Sequence, residues 1–181
     1  MADRPILFSA PMVRALLAGT KTQTRRAMKG WPLEWVATGM FTREYTADPA
    51  NDACPYGKVG DRLWVRETWR ERVPDQDGRT NDYRADHEPG EDPCGVRWVP
   101  SIHMPRRASR LTLELTGVRI ERLQEISEAD AQAEGCIAPM YASDESTLSF
   151  AVAYRHLWEA INGAGTWDAN PWVWVIEFRR L

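Results

Sequence analysis

The chain has 181 residues, a length that fits one domain with room for insertions. Hydrophobic residues make up 43%, and nine Trp, five Tyr and four Phe predict a strongly aromatic core. With 23 basic and 26 acidic residues the formal net charge is −3, which argues against a non-specific nucleic-acid binder but allows local basic patches.

The cysteines and the apolar runs bear on the cellular compartment. Cys54, Cys94 and Cys136 are widely spaced and odd in number, which predicts reduced thiols and no disulfide framework. Together with His103 they lack Cys-x-x-Cys spacing, so we expect no metal. No window approaches the apolar length of a membrane span, and the N-terminus shows no cleavage signal. We therefore expect a cytoplasmic protein with no membrane partner.

The first predicted unit along the chain is a strand, a helix and a second strand. Residues 6–8 are apolar and predict a buried strand. Residues 9–11 offer a cap and a first-turn proline for a helix over 12–17, and Gly19 supplies a left-handed stop. Residues 22–28 are polar and partly β-branched, which predicts a strand that leaves this helix.

The middle of the chain gives weaker patterns. Within 30–53 we predict a hairpin around Gly39, and 54–61 has turn chemistry. Residues 62–69 alternate as a strand does. The acidic segment 73–95, rich in Pro, Gly and Asp, predicts a long exposed loop.

The last third contains four clearer elements. They are a strand over 110–122 bent at Gly117, a helix that Ser127 caps and Gly135 ends, an amphipathic helix over 148–161, and a closing strand over 172–178. Five to seven strands with two or three helices, in no βαβ rhythm, predict an α+β domain on a mixed or barrel-like sheet.

Residues 19–26 concentrate the reactive side chains. Lys21 and Thr24 are three residues apart, and a desolvated lysine can act as a base that activates a hydroxyl. The alternative is a solvated turn whose cations contact phosphate. Catalysis requires a buried lysine near a carboxylate, and Glu134 is favoured because it ends a helix just before Gly135, where sheet-facing positions are common. The other carboxylates considered are Glu67, Glu128 and Glu177.

Two further groups of residues allow alternative interpretations. The basic segment 101–110 could place cations over a phosphate, or its arginines could pair with the acidic loop. Trp64, Trp69 and Trp167 could stack on a flat base, although most tryptophans in a small sheet domain are core. His87 and His156 are predicted to be surface or hydrogen-bonded residues.

Taken together, these motifs resemble the ASCH domain, a relative of the PUA-like RNA-binding fold. The family signature is Gly-x-Lys-x-x-Glu-x-Arg, and Gly19, Lys21 and Arg26 match it while Thr24 replaces the glutamate. That departure resembles the small bacterial amidohydrolases that deacylate N4-acetylcytidine, whose segment reads Gly-x-Lys-Thr-x-Thr-x-Arg. Residues 60–65, 126–134 and 175–178 also resemble family segments. The Cys-Pro-Tyr-Gly, Trp-Val-Arg-Glu-Thr-Trp and Ser-Ile-His-Met-Pro segments resemble phage and prophage ASCH proteins of unassigned role.

The resemblance implies a fold and a domain organisation. The expected fold is α+β, a PUA-like mixed β-barrel flanked by two or three helices. One ASCH domain would span 1–181, with insertions near 30–53 and 70–100.

The resemblance also implies an activity and a site. The expected activity is hydrolysis of N4-acylated cytidine or cytosine, with a small nucleoside or modified base as ligand, RNA as a further partner and no cofactor. Lys21, Thr24 and Glu134 would be catalytic. For substrate binding we name three residues: Arg26, Glu67 and Trp69. Arg26 would bind an oxyanion or pair structurally with Glu67.

The expected mechanism assigns one role to each catalytic group. The Thr24 hydroxyl attacks the acyl carbon while neutral Lys21 takes its proton, or Thr24 holds a water that Lys21 activates. Burial or the neighbouring Arg25 and Arg26 must lower the lysine pKa. Glu134 orients Lys21 or handles the leaving-group proton. The alternatives are a non-catalytic RNA or nucleotide-binding module, in which Lys21, Arg25 and Arg26 contact phosphate, and a metal-independent ribonuclease.

Overall fold

The computed structural model describes residues 2–72, 80–88, 90–91, 95–137 and 149–181. A five-stranded mixed sheet has the strand order β1-β3-β6-β7-β2, and β4 pairs with β5 in a second, two-stranded sheet. The strands are β1 (Asp3–Leu7), β2 (Gln23–Ala27), β3 (Arg62–Arg66), β4 (Trp69–Glu71), β5 (Asn81–Tyr83), β6 (Thr112–Arg122) and β7 (Trp172–Arg180).

Five α-helices accompany these strands in the described part of the chain. They are α1 (Ala10–Leu17), α2 (Trp31–Ala37), α3 (Arg43–Ala47), α4 (Glu128–Ala133) and α5 (Phe150–Asn162). The predicted α+β class and mixed sheet are confirmed. Over the described residues the sheet is open and not a closed barrel, with β1 and β2 at its two edges. None of the described helices is both long and apolar enough to cross a membrane.

The long strands β6 and β7 form the centre of the sheet. They pair antiparallel over nearly their whole length, and the register shifts between Leu115 and Gly117. A Cβ atom at Gly117 would lie 2.5 Å from a Glu177 carboxylate oxygen, so a larger residue in this bulge would have to displace the end of that side chain. The predicted bend at Gly117 is therefore confirmed.

Both faces of β7 are buried, and this determines where β2 places its side chains. Trp174, Ile176 and Phe178 lie in the main core, which also contains Val13 and Leu16 of α1. On the opposite face of β7, Val173 and Val175 belong to a second cluster. Its other members include Ala131 of α4 and Tyr154 and Trp158 of α5. The edge strand β2 therefore lies between a core on the α1 side and a core on the α4–α5 side.

The predicted hairpin around Gly39 is wrong, because α2 and α3 occupy this segment. Gly30 and Pro32 begin α2, and Gly39, with a φ of +71°, follows its end. The Thr42 hydroxyl accepts a hydrogen bond from the Tyr45 backbone N–H and caps α3. The aromatic rings of this segment pack on one another and join the two helices: Trp31 on Trp35, Trp35 on Phe41, and Phe41 on Tyr45.

The predicted loop over 73–95 lies partly outside the described residues. The described part is more ordered than a long exposed loop, because it contains β5 and a following 3₁₀ turn. Asp82 is buried and pairs with Arg70 at 2.9 Å, while Ala85 joins the main core. This acidic segment therefore contributes buried residues to the fold.

Candidate active site

Lys21 lies at the entry to β2 and is completely buried, with a side chain that is 0% exposed. Its amine donates to the Glu134 carboxylate oxygen Oε2 and to the Glu134 backbone carbonyl, both at 2.8 Å. The two residues also form an isolated antiparallel bridge. The solvated-turn interpretation of this lysine is therefore wrong.

The end of α4 brings Glu134 to Lys21. The Ser127 hydroxyl caps α4 by accepting from the Asp130 N–H, and the Thr22 N–H donates to the Ala133 carbonyl at 2.8 Å. Gly135 follows with a φ of +85°, and a Cβ there would lie 2.9 Å from the Ala15 Cβ and 3.1 Å from the Lys21 Cβ. Only a glycine allows this close approach of α4, α1 and the start of β2.

A second buried cation also holds the Glu134 carboxylate. Arg25 has a side chain that is 0% exposed and donates to Glu134 Oε1 at 3.4 Å. It also donates to Glu121 at 2.9 Å and to Asp130 at 3.2 Å. Glu134 therefore bridges Lys21 on one oxygen and Arg25 on the other, and its carboxylate is fixed in orientation.

Burial is the main influence on the charge of Lys21. Removal from water lowers the pKa of the Lys21 amine, while the Glu134 carboxylate opposes that effect and Arg26 adds to it. A lowered pKa makes the neutral amine easier to reach at ordinary pH. Lys21 thus has the property that a general base needs.

Thr24 is buried on β2 and faces the main core, because it lies opposite Ile176 of β7. It lines a cavity of about 50 Å³, which has room for water. Within the described part of the chain, its hydroxyl makes no hydrogen bond. The other lining residues come from β2, α4, α1 and α5, and they are Met12, Arg25, Arg26, Ala27, Glu134, Tyr154, Leu157, Trp158, Ile161 and Asn162.

The Lys21 amine and the Arg26 guanidinium both lie near the ring of Phe8. The Nζ of Lys21 is 5.6 Å from the centroid of the Phe8 ring, and the guanidinium of Arg26 is 5.2 Å from the same ring. Phe8 belongs to the main core that Thr24 faces. Lys21 itself is not among the residues that line the cavity, since its amine points to Glu134.

The three residues predicted to bind substrate lie in different places. Arg26 lines the Thr24 cavity, and its Nη2 donates to the Leu7 carbonyl at 2.6 Å. Glu67 does not pair with Arg26, so that expectation is wrong: Glu67 accepts two bonds from Arg110, at 2.9 and 3.1 Å.

Glu67 and Trp69 do not line the Thr24 cavity. Trp69 packs in a small separate cluster with Met104 and Ala108, as expected for a core tryptophan. Trp167 packs against the α4–α5 cluster.

The arginines of the basic segment 101–110 pair with acids, but only the Arg110–Asp86 pair is the predicted contact with the acidic loop. Arg110 binds Asp86 as well as Glu67, Arg107 binds Glu71 at 3.3 Å, and Arg106 binds Asp3 at 3.0 Å. These contacts occupy the cations that could have contacted phosphate.

The histidines and cysteines lie in separate places and have different surroundings. His87 hydrogen-bonds Asp82 at 2.7 Å, and His156 is exposed on α5. Burial raises the pKa of Cys54 and of Cys136 to about 11. Cys94 lies outside the described residues. Within the described ranges, no three His, Cys, Asp or Glu side chains form a group that could hold a metal ion.

Sequence reasoning missed the pairing of Arg25 with Glu134, and it missed Tyr154 as part of the site. Arg25 was expected to lower the lysine pKa or, in the binding-module alternative, to contact phosphate; instead it binds Glu134, lies opposite Val175 and shares the cavity with α5 residues. The available signal was the continuous apolar run in 172–176, which predicts a strand buried on both faces and hence buried side chains on both faces of its neighbour. Tyr154 was assigned to the apolar face of its helix, and no pattern indicates its place beside Glu134.

Comparison with known proteins identifies two solved structures and no family. No family model matches the chain, and no curated protein matches it. A crystal structure of a protein from Enterococcus faecalis V583, described by the family model DUF984, is 12% identical with a TM-score of 0.45, over 100% of this chain and 77% of that one. An ASCH domain from Lactobacillus crispatus JV V101 is 13% identical with a TM-score of 0.43, over 99% of this chain and 79% of that one.

Proposed function

We propose that this chain is an ASCH-type amidohydrolase that removes the acyl group from N4-acylated cytidine or cytosine. The observation that carries the proposal is the Lys21 amine, buried without solvent exposure and hydrogen-bonded to Glu134 at 2.8 Å. Glu134 and Thr24 line one cavity. The resemblance of residues 19–26 to Gly-x-Lys-Thr-x-Thr-x-Arg supports the choice of substrate.

Burial favours catalysis over simple phosphate contact for these residues. The side chains of Lys21 and Arg25 are both 0% exposed, so neither can reach a nucleic-acid backbone at the surface. A buried lysine also costs free energy to ionise, and a lysine with a lowered pKa beside a carboxylate at a cavity is typical of catalytic sites. The binding-module alternative would have to use other cations.

In the first step, the Thr24 oxygen attacks the acyl carbon and its proton passes to Lys21 Nζ. A neutral amine has two N–H groups and one lone pair. It can therefore keep both hydrogen bonds to Glu134 while the lone pair accepts the threonine proton. Glu134 acts as the group that orients Lys21 for this transfer.

In the second step, the bond between the acyl carbon and N4 breaks and Lys21 returns the proton to N4. Cytidine then leaves, and the acyl group remains as an ester on Thr24. Water, activated by Lys21 in the same way, hydrolyses this ester and releases the carboxylic acid. In the variant mechanism, Thr24 holds the attacking water and no ester forms.

A nucleoside needs more space than the cavity of about 50 Å³ provides. The wall that must move outward belongs to α5, where Tyr154, Leu157 and Trp158 face Thr24 and Glu134. Substrate entry is therefore expected to depend on the packing of α5 against β2.

The proposal is tested by incubating the purified protein with a panel of N4-acylated cytosines and cytidines and separating the products by chromatography. We expect stoichiometric cytidine and acetate from N4-acetylcytidine. Absence of acyl release from every member of the panel would contradict the proposal. RNA incubated without metal serves as a parallel substrate, and its cleavage would favour the ribonuclease alternative.

A further inference from the structure

A second crevice adjoins the candidate active site on the Leu7 side of the sheet. It has a volume of about 170 Å³ and is lined by Pro5, Ile6, Leu7, Arg26, Tyr56 and Arg66. Its floor is apolar, while two guanidinium groups and one phenol supply hydrogen-bond donors. Its charged side chains are therefore cations.

Among the described residues, the two arginines in this crevice have no acidic partner. Arg26 and Arg66 form no salt bridge with any described residue, whereas Arg25, Arg110 and Arg119 each bind carboxylates. Arg26 donates to the Leu7 carbonyl and Arg66 to the Ile102 carbonyl, and each also lies over an aromatic ring. These contacts orient the guanidinium groups without neutralising them.

Half-burial strengthens the positive potential in the crevice. Arg26, Arg66 and Tyr56 are all partly buried, so solvent screens their field less than it would at the surface. Burial also raises the pKa of the Tyr56 phenol, which keeps its proton as a donor. An anion with several acceptor oxygens would satisfy all three groups.

Arg26 connects the crevice to the reacting groups. It lines both the crevice and the cavity that contains Thr24 and Glu134. Arg26 follows Thr24 by two residues on β2, so both side chains lie on one face of the strand. A ligand with its acyl group at Thr24 would therefore have its anionic part within reach of Arg26 and Arg66.

We propose that this crevice is a phosphoryl subsite, formed by Arg26, Arg66 and Tyr56, and that the substrate is an N4-acylated cytidine nucleotide. Planar guanidinium groups bind phosphate through paired N–H···O bonds, which suits two arginines that converge on one crevice. The inference rests on the proposed function for the position of the base, but the phosphoryl subsite can be measured separately.

Calorimetry tests the subsite without requiring catalysis. We expect cytidine 5′-monophosphate or 3′-monophosphate to bind about tenfold or more tightly than cytidine, as expected for a hydrogen-bonded charged contact. Arg66→Gln should abolish most of this preference, and Arg66→Lys should retain part of it. The control is Arg62→Gln, which removes the same charge from an exposed position on β3 and should keep the preference.

The kinetic arm uses the same variants. For acyl release, kcat/KM should be more than about ten times higher for N4-acetylcytidine monophosphate than for N4-acetylcytidine. This ratio should fall in Arg66→Gln. Equal binding of cytidine and both monophosphates by the wild-type protein would overturn the inference. Inorganic phosphate that binds as tightly as the monophosphates would also overturn it.

The two proposals fail in different ways. Tight, Arg66-dependent binding of a cytidine monophosphate with no acyl release would support the subsite and contradict the amidohydrolase. Acyl release with no preference for phosphorylated substrates would support the amidohydrolase and contradict the subsite.

Discussion

Lys21 is a charged residue in an environment that disfavours charge. Its side chain has no solvent exposure, and its amine is held by Glu134, which also binds Arg25. An ion pair of this kind is often no more stabilising than apolar residues of similar volume. A buried lysine with a lowered pKa, paired with a carboxylate, is typical of functional sites, and this position suits the proposed role of Lys21 as a base.

The pH dependence of acyl release follows from this position. If neutral Lys21 is the base, kcat/KM should rise with pH through the lowered pKa of Lys21 and reach its plateau below the ordinary value of 10.5. A pH–rate profile for N4-acetylcytidine measures this directly. A rate that falls with rising pH in this range would contradict the assignment.

Glu134 should control the pH at which kcat/KM rises. Its carboxylate raises the pKa of Lys21, so Glu134→Gln should move the ascending limb of the pH–rate profile to lower pH. The rate at the plateau should also fall, because the amide orients the amine less firmly. Glu44→Gln, at a side chain that is 77% exposed, is the control and should leave the profile unchanged. A limb that moves to higher pH would contradict this role of Glu134.

At the scale of elements, the site depends on the junction between α4, α1 and β2. The Thr22 N–H, the Lys21 amine and Gly135 each fix the end of α4 against the edge of the sheet. The junction also covers the start of an edge strand, which would otherwise expose unpaired backbone groups.

Gly135→Ala should damage this junction. The substitution adds left-handed strain and a Cβ 2.9 Å from Ala15, so the free energy of unfolding should fall by about 2–4 kcal/mol. Gly19→Ala is the matched control, because Gly19 also has a positive φ but nothing lies within 4 Å of its Cβ position. Denaturant unfolding should therefore show the larger loss for Gly135→Ala, and equal losses would contradict the close approach.

The elements differ in how well the sequence predicted them. The helices α1, α4 and α5 and the strands β6 and β7 have caps, stops and clear periodicity, and all five were predicted. Helices α2 and α3 were missed because both are short and rich in aromatic residues that also favour strands. Their capping residues, Gly30, Pro32 and Thr42, carried the signal that the hairpin prediction ignored.

At the scale of the whole molecule, ion pairs join parts of the chain that are distant in sequence. Lys21 and Glu134 are 113 residues apart, and Glu67 and Arg110 are 43 apart. The first pairing was predicted from the place of Glu134 at a helix end and from the resemblance to a family motif. The second was not predicted, because periodicity shows which residues are buried but not which charges meet.

The second, small sheet should lose stability in acid. Although burial opposes them, hydrogen bonds from His87 and Arg70 lower the pKa of Asp82. A lowered pKa contributes stability that is present above the ordinary value of 3.8 and is lost as the pH falls through the folded-state pKa. Asp82→Asn should therefore cost stability at pH 7 and less at pH 3, as measured by denaturant unfolding. Asp168→Asn, at a side chain that is 69% exposed, should change little at either pH.

The most direct test of the proposed catalytic role is acetate release from N4-acetylcytidine by Thr24→Val and Lys21→Met. Each variant keeps much of the buried volume and removes the reactive group. Thr22→Val and Lys29→Met are controls at exposed positions on the same segment. We predict that acetate release falls at least a hundredfold in the first pair of variants, as is typical for loss of a general base, while the two control variants keep wild-type rates. Wild-type turnover by a correctly folded Lys21→Met protein would contradict this prediction.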